Sequence, residues 1–214
     1  MSYLEACTGS AKAQVDVRFC LVGVGGQGVL LAADIVAHVG VALGLDVKKA
    51  EVHGMSQRGG SVVSHVRWGT RVYSPLIEKG TASYLVGFER LEGLRHLAML
   101  AEDGRLIMSN HRIVPVTVTC GGGAYPGEEI ERRLFRAAGA EPLWVPSVST
   151  ARALGMARAH NMVLLGALAA CAGGVEAPWA AEIAQRVPIG SLEHNLAAFR
   201  AGWAHLSGRG EGAE

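Results

Sequence analysis

The stretch Val17-Arg-Phe-Cys-Leu-Val22, followed at once by Gly23-Val-Gly-Gly-Gln-Gly28, decides the fold of this chain. An apolar run of this length bounded by glycine reads as a buried strand, and the Ala- and Leu-rich residues from Gln27 to about Leu43 read as a helix packed on it. The glycines between form the turn. At such a helix start the backbone N–H groups point outward and suit an anion. The spacing Gly23-x-Gly25-x-x-Gly28 matches the dinucleotide fingerprint, and Glu51 falls near the place of its ribose-binding acid. A glycine turn that packs tightly and binds no nucleotide accounts for the same residues equally well.

A second glycine-rich run, His53-Gly-Met-Ser-Gln-Arg-Gly-Gly60, lies about one strand-helix-strand unit downstream. Its glycines allow close approach of the backbone to a neighbour. Arg58 suits a phosphate or carboxylate, and His53 suits proton transfer near neutral pH. A hydrogen-bonded turn histidine is the favoured reading of His53, and Ser56 and Gln57 are read first as satisfying loop backbone. The candidate ligand or interface loops are therefore Gly23, Gly25, Gly26, Gln27 and Gly28 together with His53, Ser56, Gln57, Arg58, Gly59 and Gly60.

Working outward, Asp46–Val52 and Ser61–Trp68 read as strands, the second with Val62, Val66 and Trp68 inward and Ser61, His65 and Arg67 on a solvated or partner-facing side. A strand at Tyr84–Phe88, a helix from Arg90 to Ala101, a turn at Glu102-Asp103-Gly104 and a strand at Arg105–Ser109 continue the alternation. Pro115–Thr119 reads as a weak strand and Cys120–Gly123 as a flexible break. A helix after Tyr125-Pro-Gly carries Ile130, Leu134 and Phe135 on one stripe, and Pro142–Val145 is a strand. Ser149 is expected to cap a helix to His160; Asn161–Cys171 and Ala177–Arg186 are further helices. In the last helix Leu192, Leu196, Phe199, Trp203 and Leu206 form one apolar stripe that covers the core. These elements predict an α/β, Rossmann-like three-layer domain with a mostly parallel sheet and a helical C-terminal third. A single domain over 15–206 is expected, with loose ends at 1–14 and 207–214.

Half of the 214 residues are hydrophobic, enough for a full core, and 20 basic against 19 acidic residues give a formal charge of +1. That balance gives no reason to bind nucleic acid or an anionic membrane. Cys7, Cys20, Cys120 and Cys171 are scattered, and none of the histidines at 38, 96, 111, 160, 194 and 205 completes a metal motif, so no metal and no catalytic residue is assigned. The N-terminus lacks a signal pattern and Met162–Ala172 is too short to span a bilayer, which predicts a soluble, cytoplasmic chain. Serine-hydrolase elbow, phosphate-loop and zinc-protease motifs are missing from the sequence.

The run Gly23-Val-Gly-Gly-Gln-Gly28, then Glu51-Val-His-Gly-Met-Ser-Gln-Arg-Gly-Gly-Ser-Val-Val-Ser-His-Val-Arg67, resembles the gamma-type subunits of the 2-oxoacid:ferredoxin oxidoreductases. Within that family it is most similar to the small (beta) subunits of the indolepyruvate type. The likeness extends more thinly over residues 17–205, through Pro75-Leu-Ile77, Glu89, Ile113-Val-Pro115, Tyr125-Pro126, Asn161-x-Val-Leu-Leu-Gly-Ala167 and Asn195-x-x-Ala-Phe-x-x-Gly202. It departs at Ser83, where the family usually has Asp, and at Arg90, where Pro commonly follows the Glu.

The resemblance implies a subunit of a complex that oxidatively decarboxylates an aryl 2-oxoacid to an acyl-CoA and passes electrons to ferredoxin. It implies thiamine diphosphate, magnesium and 4Fe-4S clusters on a large partner subunit, coenzyme A as co-substrate, and no cofactor on this chain alone. The isolated chain is expected to be inactive and to self-associate. Two other readings stand beside it: a self-sufficient Rossmann oxidoreductase using NAD or FAD, and a scaffold binding another protein.

Overall fold

The computed structural model describes residues 15–53, 60–114, 118 and 124–208. In it β1 (Asp16–Val24), β2 (Asp46–His53), β3 (Ser61–Gly69), β4 (Ala82–Gly87), β5 (Leu100–Ser109) and β6 (Pro142–Val145) form one sheet of order β2-β3-β1-β4-β5-β6. β1, β4, β5 and β6 are parallel neighbours, while β3 is antiparallel to both β1 and β2. Five strands therefore point one way and β3 alone is reversed. The reversal follows from the short link between β2 and β3, too short for the crossover a parallel pair needs.

One face of the sheet is covered by α1 (Val29–Ala42), α4 (Ser147–Ala153), α5 (His160–Cys171), α6 (Glu176–Arg186) and α7 (Leu192–Ser207). Phe19, Leu21, Val66, Trp68 and Val86 of the sheet meet Ile35, Val36, Leu164, Trp179 and Phe199 there. α5 and α7 touch backbone to backbone: a Cβ on Gly166 would run into the carbonyl of Phe199, and one on Gly202 into that of Val163. The stripe expected on the last helix does dock on this core, through Phe199 and Leu206, with Leu192, Leu196 and Trp203 packed beside it.

The other face is thinner. α2 (Arg90–Arg95), α3 (Glu128–Ala137) and the loop from Val72 to Ile77 enclose a smaller cluster around Cys20, Val22, Leu85, Leu106, Met108 and Phe135. The three-layer α/β architecture and the helical C-terminal third agree with the sequence.

Several local expectations are corrected. The helix from Arg90 stops at Arg95, a single 3-10 turn spans Leu97–Met99, and β5 begins at Leu100, so Glu102-Asp103-Gly104 is strand rather than turn. The pairing of β4 with β5 is irregular there, shifting between Ala82 and Tyr84, which admits the extra residues as a bulge. The helix expected from Ser149 to His160 is broken: α4 starts at Ser147 and ends before Leu154, the chain turns at Gly155 with φ 81°, and a 3-10 turn at Ala157–Ala159 leads into α5. Ser149 lies inside α4 and its hydroxyl donates to the carbonyl of Pro146 at 3.0 Å. On α3 the buried positions are Glu131 and Phe135, while Ile130 and Leu134 face solvent. His65, Ser61 and Arg67 are not a solvated side: the loop Val72–Ile77 and α2 cover it. His65 is buried and its Nδ1 accepts the Ile77 N–H at 3.1 Å, and Arg67 donates to the Ser74 carbonyl at 3.1 Å. The expected weak strand at 115–119 and the break at 120–123 lie, except for residue 118, outside the described residues, as do 1–14 and 209–214; α7 continues through Ser207.

Candidate functional site

The carboxyl ends of β1 and β4 and the start of the reversed β3 meet at one edge of the sheet, and the two glycine runs meet there as well. Gly23 and Val24 of β1 lie opposite Val62 and Ser61 of β3, and the Gly25 N–H donates to the Gly60 carbonyl at 2.9 Å. Gly26 (φ 99°) and Gly28 (φ 77°) both take the left-handed backbone that favours glycine. At Gly23 a side chain would collide with Phe88, Val29 and Gln27 at 2.8–2.9 Å; at Gly28 it would meet the Asn161 side chain at the start of α5. Helices α1 and α5 thus begin side by side.

Gln27 has a structural use. Its Oε1 accepts the Val24 N–H at 2.7 Å and its Nε2 donates to the Phe88 carbonyl at 3.0 Å, so this buried side chain ties the end of β1 to the end of β4. Beside it a cleft of about 380 Å³ is lined by Val24, Gly25, Gly26, Gly28, Val29, Leu30 and Val62. Its wall is mainly aliphatic and glycine backbone. His53 closes β2 opposite Val62. Gly54, Ser56, Gln57, Arg58 and Gly59 lie outside the described residues.

Glu51 does not reach this cleft. β3 stands between β1 and β2, which sets Glu51 two strand spacings, about 10 Å, from β1. There its carboxylate binds Lys49 at 2.6 Å. The geometric relation between fingerprint glycines and ribose acid, which requires their strands to be neighbours, is broken.

A layer of buried polar groups behind the first glycine run is only partly legible in the sequence. Glu89, directly after β4, caps α2 by accepting the Glu92 N–H at 3.0 Å, and also accepts the Ile113 N–H at 3.0 Å and the Tyr125 hydroxyl at 2.6 Å. Burial, then Glu89, pushes the Tyr125 phenol well above its usual range. Glu92 accepts the Ser61 hydroxyl, which ties α2 to the residue that follows the second glycine run. Arg90, one of the departures from the family pattern, pairs with buried Glu131 and lies 4.7 Å over the Trp144 ring. The other departure, Ser83, accepts the Arg18 N–H at 3.2 Å.

At the head of α5, His160 lies 6.4 Å from His111 between ring centroids, and its Nδ1 is buried without a hydrogen-bond partner among the described residues. Burial, with His111 adding to it, lowers its pKa to about 4 and keeps it neutral at pH 7. The signal for Glu89 is a carboxylate between the end of a strand and the start of a helix; His160, which follows a 3-10 turn at Ala157–Ala159, carries no such local signal.

No three His, Cys, Asp or Glu side chains form a metal-binding group among the described residues. Cys20 is buried inside β1, with its thiol pushed up to about 12, and Cys171 ends α5, pushed up to about 11, chiefly by burial in each case. Among the described residues this donor set fits neither an iron–sulfur cluster nor magnesium. No helix among the described residues is long and apolar enough to cross a membrane.

Fold and site together define a three-layer α/β protein whose glycine loops meet at the carboxyl edge of a sheet with one reversed strand. Residues 18–205 match the pyruvate ferredoxin/flavodoxin oxidoreductase family, and the chain belongs to that family. The chain is 36% identical to indolepyruvate oxidoreductase subunit IorB of Pyrococcus horikoshii over 193 residues, 87% of this chain and 94% of that one. It is 37% identical to the subunit of the same name from Archaeoglobus fulgidus over 71% of this chain and 75% of that one. The fold matches the keto/oxoacid ferredoxin oxidoreductase gamma subunit from Geobacter sulfurreducens with a TM-score of 0.67 at 23% identity, covering 90% of this chain and 99% of that one. A 2-oxoglutarate:ferredoxin oxidoreductase from Magnetococcus marinus matches at TM-score 0.70 and 20% identity, over 90% of this chain and 31% of that chain.

Proposed function

We propose that this chain is the small subunit of an indolepyruvate-type 2-oxoacid:ferredoxin oxidoreductase, a complex that decarboxylates an aryl 2-oxoacid oxidatively, forms an acyl-CoA and reduces ferredoxin. The observation that carries this reading is the 36% identity over nearly the full length of a subunit named for indolepyruvate oxidation. Thiamine diphosphate, magnesium and the iron–sulfur clusters belong in this reading to a large partner subunit, where cofactors carry the difficult chemistry.

The part left to this chain is to shape an approach to the reaction centre. The run Gly23–Gly28, with Gly60 bonded to Gly25, faces the partner and the incoming substrate or coenzyme A, and Ser56, Gln57 and Arg58 of the second run are the candidate side chains for contacting them. Gln27, Ser61 and Glu92 hold these loops in place. A stand-alone NAD or FAD enzyme is disfavoured by the interposed β3, which takes Glu51 away from the cleft.

The test is to purify the tagged full chain anaerobically from its native host. The expected result is a brown complex with a large subunit that reduces a dye when indolepyruvate and coenzyme A are added. A colourless solitary chain from cells that demonstrably make the complex would contradict the proposal, and NAD or FAD binding by that solitary chain would establish the alternative.

A further inference from the structure

β2 forms one edge of the sheet, and among the described residues its one strand neighbour is β3. An unpaired edge is a template for another strand, and proteins commonly blunt such edges with lysine. β2 carries Lys48 and Lys49, but Lys49 is answered within the strand. Glu51, two residues on and on the same face, binds it at 2.6 Å, while Asp34 of α1 binds it at 2.5 Å.

A second copy of β2 can be laid antiparallel against the first about a two-fold axis normal to the sheet. Opposed residues must then share a face, which limits the register to axes that pass through a residue pair of equal number. An axis at Lys48, Lys49 or Glu51 sets like charges against each other. An axis at Ala50 does the opposite: Lys49 meets Glu51 of the second copy and Glu51 meets its Lys49. Ala50 then faces Ala50, the stem of Lys48 lies along Val52, and Val47 faces His53. Val52, half exposed at 52%, loses water in this arrangement.

Helix α1 adds an independent observation. Leu30, Asp34 and Val41 are spaced by four and seven residues and lie on one helix face. Because Asp34 binds Lys49, that face overlooks the β2 edge. Leu30 is 38% and Val41 57% exposed there, two large apolar side chains flanking the carboxylate. The same two-fold axis sets α1 antiparallel to its copy, bringing the Leu30 end of one helix beside the Val41 end of the other.

We propose that two copies of this chain associate through β2 in the Ala50-centred register, so that one sheet runs across both molecules and α1 packs against its copy above the seam. The inference rests on the edge strand and α1, not on the oxidoreductase reading, and can fail or stand separately from it.

The test uses the full chain with Cys7 and Cys120 replaced by Ser. Opposed Cα atoms of an antiparallel pair lie about 4.5–5.5 Å apart, within disulfide reach. Mild oxidation of Ala50→Cys should give a covalent dimer whose linked peptide joins position 50 to position 50. Lys48→Cys, which faces Val52, should cross-link at least about tenfold less, and the double variant K48C/V52C should cross-link again, because register fixes which residues oppose.

Light scattering supplies a second arm that needs no cysteine. Lys49→Glu or Glu51→Lys, each confirmed folded by its melting curve, should weaken the dimer by about tenfold or more, because each places like charges opposite at two symmetric points. The exchange K49E/E51K should restore it. A chain that stays monomeric at every accessible concentration overturns the proposal. So does a dimer indifferent to these charges, an A50C variant that links no better than K48C, or occupation of β2 by a different protein.

Discussion

The two faces of the sheet are built by different means. On the α1/α5/α7 face nearly every contact is apolar, and glycines let helices approach until their backbones touch. On the α2/α3 face the apolar cluster is small and buried carboxylates do much of the joining: Glu89, Glu92 and Glu131 each hold two or more partners. Apolar packing is non-directional and supplies stability. Hydrogen-bonded carboxylates specify position, and here they position Ser61, Ile113 and Tyr125 around the start of α2. The first face should therefore answer mutation with loss of fold, the second with loss of geometry.

The largest expected effect lies on the first face. Gly166→Ala or Gly202→Ala would drive a methyl into a facing carbonyl and should cost roughly 3 kcal/mol or more, a large fraction of the stability of an ordinary domain. Urea denaturation measures this, and a loss under about 1 kcal/mol would mean that α5 and α7 separate easily.

Breaking a buried pair on the second face should come close behind. Glu131→Ala leaves Arg90 without its carboxylate and should cost about 3 kcal/mol, whereas the double change Arg90→Met with Glu131→Leu should recover most of that loss. If the double variant is as unstable as the single one, the pair is more than a local joint.

His160 sharpens the comparison because it sits where the two faces meet the crevice. Its folded pKa, about 4, is below the ordinary value of 6.5, so the unfolded chain takes up the proton first as pH falls. Stability should be full above about pH 6.5 and decline towards pH 4, by roughly 2–3 kcal/mol from this residue, then level off with respect to it. His160→Gln should flatten that part of the pH profile; an unchanged slope would assign the acid sensitivity to other groups.

The smallest expected effect is at the seam between α2 and the second glycine run. Ser61→Ala should cost only about 1 kcal/mol of stability. On the function proposed above, it should raise the KM of the complex for coenzyme A or 2-oxoacid more than it lowers kcat, and the reverse pattern would contradict a positioning role.

How much of this was legible follows from how local each cause is. β1, α1, β2 and β3 were read nearly to their ends because alternation and glycine punctuation are local signals. The helix from Arg90 was read too long, since Leu97–Ala101 has helical composition and only pairing with β4 makes Leu100 a strand residue. On α3, hydrophobicity alone points to Ile130 and Leu134, but the buried position goes to Glu131, whose arginine partners are far away in sequence. Glu51 was set beside the crevice on a spacing rule that assumes β1 and β2 are neighbours. The convergence of Gly25 with Gly60 depends on the reversal of β3, which the spacing of the two runs does not encode.

The backbone contact between α5 and α7 carries a consequence for synthesis. α7 is made last among the described elements, yet Gly202 and Leu206 near its end complete the larger apolar face. Until the ribosome has released that helix, the nascent chain holds a nearly finished domain with the apolar side of α5 that α7 covers still exposed, the kind of surface on which aggregation begins. A premature stop before Trp203 should therefore leave an aggregation-prone fragment rather than a shortened subunit.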